Sequence, residues 1–270
     1  MTWVSRQILR SYAGWDRVTK LSFWIAVALL VIGLILLLIA PAEQRAWIFV
    51  GTVALVIVMQ LIVLWGNRGM VTVYTQAQRR YLAGDLEGAR VLLEEARAAG
   101  NADVKALTLL GSTYRQFGLL EESRGVLYEA LDKAADHHFP LYNLGRTEAA
   151  GGNYTRAVEL YEQALAQGSP AITRFDLAEA HFLMGDAAGT LAALDQVFPM
   201  LNEPHRVMMA MWWRAQLGVG ELPSDEVIRD GLAYWIAAAE RFRDTPYGTA
   251  IAAQLQTLQS DVKGDAKSNV

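Results

Sequence analysis

The chain has 270 residues, 53% of them hydrophobic and only 19% charged, with a net charge of −4 and a mean hydropathy of +0.18. Soluble domains carry about a quarter charged residues, so apolar sequence is in excess. The absence of cysteine excludes disulfides, cysteine-bound zinc, iron–sulfur clusters and thiol nucleophiles, and the acidic balance argues against a nucleic-acid partner.

The first twenty residues combine Arg6, Arg10 and Arg17 on one side of a helical wheel with Val4, Ile8, Tyr12, Trp15 and Val18 on the other. This pattern predicts an amphipathic helix over 1–20 lying in a membrane interface. The alternative is a helix packed on a protein surface.

Residues 21–40 contain no charge, and residues 47–65 hold one polar amide, Gln60. About 20 apolar residues cross a bilayer core of roughly 30 Å, so 21–66 predicts a transmembrane hairpin with spans 21–40 and 47–65. A pair of buried core helices is the alternative reading. A cleaved signal peptide fits poorly, because its apolar region is shorter and a second span follows at once. Arg6, Arg10, Arg17 and Lys20 precede the hairpin, and Arg68, Arg79 and Arg80 follow it, whereas the connection has only Arg45. The positive-inside bias therefore puts both termini in the cytoplasm, most naturally at a bacterial plasma membrane. Trp15, Trp24, Trp47 and Trp65 stand where an interfacial aromatic belt is expected. Gln60 calls for a hydrogen-bond partner, on the first span or on another protein. The net charge is +3 for residues 1–20 and −7 for residues 67–270, so the part after the hairpin is not drawn to an anionic leaflet by its own field.

A repeat follows. Gly84, Gly118, Gly152 and Gly185 are spaced 34, 34 and 33 residues apart, each opening a related phrase such as GDLEGARVLLEEA or GNYTRAVELYEQA. Leu110-Gly111 and Leu144-Gly145 lie seven residues before their turn glycines. Small residues recur at Ala77, Gly111, Gly145 and Ala178, and again at Ala89, Ser123, Ala157 and Thr190. Large ones follow at Leu93, Leu127, Tyr161 and Leu194, then Ala96, Ala130, Ala164 and Val197. Over about residues 70–201 this resembles the tetratricopeptide repeat (TPR). Gln76, Arg174 and Thr190 depart from that pattern, which puts the first and fourth units in doubt.

The expected fold is all-α: the hairpin, TPR-like repeats over 67–201, and a degenerate repeat with capping helices over 202–260. A helix is predicted near 205–217. Ser224 caps another, with Ile228, Leu232, Trp235, Ala239 and Phe242 on its apolar face, and Pro246 opens the last. Residues 261–270 read as a disordered tail.

No motif for catalysis or metal binding is present: there is no P-loop, no G-x-S-x-G, and His137, His138, His181 and His205 form no ligand pair. Asn153-Tyr154-Thr155 fits a glycosylation sequon but occupies a repeat turn. The expectation is a non-enzyme without cofactor or metal. The TPR resemblance implies a concave groove lined by the first helix of each pair. In this register the groove holds Tyr74, Gln78 and Tyr81; Lys105, Thr108, Ser112 and Arg115; Tyr142, Asn143 and Arg146; and Phe175, Glu179 and Phe182. Such a lining, exposed, would suit a protein or peptide partner bearing an acidic group flanked by apolar residues. Alternatively, the aromatics pack the groove or meet the terminal helices. Two function classes follow: a membrane-anchored interaction module, in contact with the lipid bilayer and open to other membrane subunits, or a structural subunit packed through its hairpin.

Overall fold

The computed structural model describes residues 16–67 and 72–268, with side chains described up to Trp65 in the first stretch and Asp261 in the second. These residues form thirteen α-helices and one 3-10 turn, without strands, in two compact units that divide after Thr72.

The first unit is a helical hairpin of α1 (Arg17–Ile39) and α2 (Ala42–Asn67). Asp16 caps α1, its carboxylate accepting from the Thr19 amide at 2.8 Å. Arg17–Lys20, read from sequence as the end of a separate interfacial helix, are thus the first turn of α1 itself, because the cap falls at Asp16. Residues 1–15, including Trp15 and most of the amphipathic pattern, lie outside the described residues. The chain leaves α1 at Ala40-Pro41, where Arg45 Nε donates to the Ala40 carbonyl at 2.9 Å. The two helices approach closely at Gly33, where an added Cβ would stand 2.9 Å from Thr52 Oγ1. Thr52 satisfies its own hydroxyl on the Ile48 carbonyl. Most of the remaining apolar side chains face outward, as do Trp24, Trp47 and Trp65.

The second unit is an α-solenoid of the TPR type. Its helix pairs are α3 (Val73–Leu82) with α4 (Leu86–Ala98), α5 (Val104–Gln116) with α6 (Leu120–Lys133), α7 (His138–Ala150) with α8 (Tyr154–Ala166), and α9 (Thr173–Leu183) with α10 (Ala187–Val197). The repeat glycines make the turns within pairs: Gly84, Gly118, Gly152 and Gly185 have φ between 73° and 82°, a region costly for side chains with a Cβ. Asp85, Asp103 and Asp186 cap the helices that follow them.

The small residues set how near the two helices of a pair can lie. A Cβ on Gly111 would meet Leu127 at 2.6 Å, and one on Gly145 would meet Tyr161 at 2.7 Å. Leu93, Leu107, Leu110, Leu127, Leu144 and Leu160 are buried between successive pairs, so each pair covers an apolar face that it could not cover alone. Polar stitches hold the stack within and between units. Ser123 donates to the Gly111 carbonyl of its own pair at 2.8 Å and shares a hydrogen bond with Thr147 of the next. Arg124 pairs with buried Glu148 at 2.9 Å.

After the 3-10 turn Phe198–Met200 come α11 (Pro204–Gln216), α12 (Asp225–Arg241) and α13 (Pro246–Ser268). The Ser224 cap and Pro246 start stand where the sequence puts them. The backbone of α13 runs to Ser268, through residues read from sequence as a tail. Only Gly264 interrupts helix-forming residues there, at a cost of about 1 kcal/mol. Trp213, Phe175 and Trp235 pack in one core with Ile251 and Leu258 of α13. The indole N–H groups find partners: Trp213 on Gln254 at 2.9 Å, Trp235 on the His205 carbonyl at 2.7 Å, and Trp212 on Asp261 at 3.1 Å.

Candidate functional site: the concave face and its cover

The first helices of the pairs, α3, α5, α7 and α9, carry the side chains assigned to the groove. Along α5 and α7 they bind one another. Ser112 donates to Asn143 Oδ1 at 2.7 Å, and Asn143 Nδ2 reaches back to the Phe139 carbonyl at 2.9 Å. Arg115, only 2% exposed, donates from Nη1 to the Asn143 carbonyl at 3.1 Å. No protein acceptor meets its Nε. Burial, and then the Arg146 charge, push the Arg115 guanidinium down to about 10, which leaves it charged at neutral pH.

On α7 and α9 the pairing takes an unexpected form. Tyr142 donates its hydroxyl to Asp176 Oδ2 at 2.7 Å. Glu179, 8% exposed, accepts from the Tyr247 hydroxyl at 2.8 Å. Burial pushes the Glu179 carboxyl up to about 8, with Asp176 adding to the shift. The Arg146 guanidinium stands 5.9 Å from the centre of the Tyr142 ring. Each carboxylate is thus engaged by a tyrosine rather than an arginine.

Tyr247 is the first sign of a cover. It opens α13, whose Pro246 packs against Gly152. Arg241, at the end of α12, donates to Gln116 Oε1 of α5 at 3.2 Å. Tyr234, Ala238, Phe242 and Tyr247 close a crevice of about 50 Å3 over Arg115 and Arg146. The chain's own C-terminal helices therefore occupy the concave face from the C-terminal end of α5, in the second unit, through the fourth unit. This corrects the expectation of an exposed lining there: Ser112, Arg115, Asn143, Phe175 and Glu179 are buried, and Tyr142 and Arg146 are largely covered. Phe175 is a core residue, 5.2 Å from the Trp213 ring. Phe182 likewise packs on Trp212 and Trp213.

The first unit and the start of the second differ. Lys105 is exposed, and Tyr74, Gln78 and Tyr81 are half-buried. Tyr81 accepts a hydrogen bond from Gln116 Nε2 at 3.2 Å, which ties α3 to α5. Asp176, Tyr161 and Tyr247 belong to the covered site but escaped the groove assignment. Asp176 lies next to Phe175 and one turn before Glu179 on a helix already in register. Tyr247 carried no local signal at all. In the hairpin, Trp24, Trp47 and Trp65 are exposed near the helix ends. Gln60 is also exposed and, among the described residues, bonds to nothing on α1.

The chain matches no protein-family model and no curated protein. Among solved structures it is similar to a thermophilic TPR protein of Thermus thermophilus, with 16% identity, a TM-score of 0.49, and 69% of this chain and 97% of that one covered. It is also similar to MamA of Desulfovibrio magneticus RS-1, with 17% identity, a TM-score of 0.46, and 64% and 95% covered. Both likenesses are of fold, and the assignment to the TPR type rests on the glycine-turned helix pairs themselves.

Proposed function

We propose that this protein is a membrane-anchored protein–protein interaction module, a scaffold, assembly factor or accessory subunit of a membrane complex, without catalytic activity of its own. One observation carries the anchor: the most apolar stretches of α1 and α2 have mean hydropathies of 3.0 and 2.6, yet only 11% and 6% of them are buried. Core helices of a soluble protein would be covered, so apolar faces this bare call for lipid or for other membrane helices. The repeats supply the interaction surface, held on the cytoplasmic side by the basic flanks.

On this reading the docking surface is the open end of the concave face, where Lys105 and the half-buried Tyr74, Gln78 and Tyr81 keep access to solvent. A partner segment with an acidic side chain among apolar ones fits it. The test is co-purification of full-length protein after mild detergent extraction. A stoichiometric protein companion is expected, lost in Lys105→Glu and kept in Arg156→Glu, where Arg156 is exposed on α8, the second helix of its pair; companions that ignore Lys105 would move the docking site elsewhere.

Gln60 favours a second reading, a structural subunit packed through its hairpin. An amide left facing lipid gains from a hydrogen bond to another membrane helix, worth about 1 kcal/mol. Loss of the companion in Gln60→Leu, with Lys105→Glu silent, is its signature.

A further inference from the structure

Arg115 and Arg146 face one small space, and neither forms an ion pair among the described residues. The two acids that could have served them, Asp176 and Glu179, are turned to tyrosine hydroxyls at 2.7 and 2.8 Å. Arg115 is 2% exposed, and its Nε has no protein acceptor. Asp176 is the one counter-charge lining the space and it favours the charged Arg146; a second buried guanidinium, Arg115, left without its own is strongly unfavourable and calls for an acceptor the chain does not supply. The Tyr161 ring lines the same space.

We infer that this crevice is a site for a small monovalent inorganic anion, of about the size of chloride, held between the Arg115 and Arg146 guanidinium groups. Size sets the class. The crevice measures about 50 Å3, where one water takes about 10–15 Å3 of such space, so one small ion with its waters fits and a sugar acid does not. Charge agrees. With the Glu179 carboxyl held protonated at neutral pH, the lining carries two positive groups and one negative, Asp176. Place gives the ion a consequence: the floor of the site is α5, α7 and α9, and its roof is α12 and α13. Occupancy therefore fastens the C-terminal helices onto the repeats.

Thermal unfolding of the full-length protein in detergent, followed by tryptophan fluorescence at constant ionic strength, tests this. Anything bound only by the folded state raises the melting temperature saturably. Chloride or bromide replacing gluconate should raise it by a few degrees and saturate. Arg146→Met and Arg115→Met should each abolish the difference, and Lys105→Met should keep it. Equal melting in chloride and gluconate, or a chloride effect that survives both arginine variants, overturns the site. Should those variants fail to fold, chloride-35 line broadening by the wild type decides: broadening relieved by bromide but not gluconate supports the site, and its absence overturns it.

Discussion

Glycine carries two opposite meanings in this chain, and single substitutions separate them. Gly111 lies where a Cβ would press Leu127 at 2.6 Å, whereas Gly125, in the neighbouring α6, has nothing within 4 Å of that position. Overpacking of this kind costs roughly 1–3 kcal/mol, and alanine in an open helix position gains up to about 1 kcal/mol over glycine. Gly111→Ala should therefore lower the melting temperature by several degrees, while Gly125→Ala should leave it unchanged or raise it, as read by circular dichroism. Glu179 adds a pH dependence. Its carboxyl titrates near 8 in the fold and near 4.3 in an unfolded chain. The stability tied to the protonated form is full below the unfolded value and is lost as pH rises through 8. Between pH 5 and pH 9 the wild type should lose melting temperature relative to Glu179→Gln. Parallel pH curves for the two proteins would contradict the burial of this carboxyl.

At the scale of elements, α12 and α13 belong to the packing of the fourth unit. Trp235 is 2% exposed with its indole N–H on the His205 carbonyl, and Trp-to-Ala changes in cores cost about 3–5 kcal/mol. Hydrogen exchange of α12 and of α13 through Leu258 should match that of α9 in slowness, and Trp235→Ala should speed all three together; rapid exchange of α13 in the wild type would show it undocked. The helices themselves were legible in the sequence, because turn glycines, Asp caps, Ser224 and Pro246 act within a few residues of where they stand. The cover over the concave face was not. Tyr247 meets Glu179 across 68 residues and Arg241 meets Gln116 across 125, and no local period records either. The groove register did name Ser112, Arg115, Tyr142, Asn143, Arg146 and Glu179 as neighbours. Their mutual bonding and their cover came only from the packing of later helices.

At the scale of the molecule, a bare apolar hairpin and an acidic repeat stack share one chain, and on the proposed reading the basic flanks set which side of a membrane each end takes. The chain contains no cysteine, so a single introduced thiol reports its own side without background. Gln44 stands exposed between the two spans, and Glu122 stands exposed on α6. In intact cells a membrane-impermeant maleimide should label Gln44→Cys. Glu122→Cys should be labelled only after lysis. Labelling of Glu122→Cys in intact cells, or failure to label Gln44→Cys there, would contradict a hairpin that crosses the membrane twice and holds the repeats in the cytoplasm.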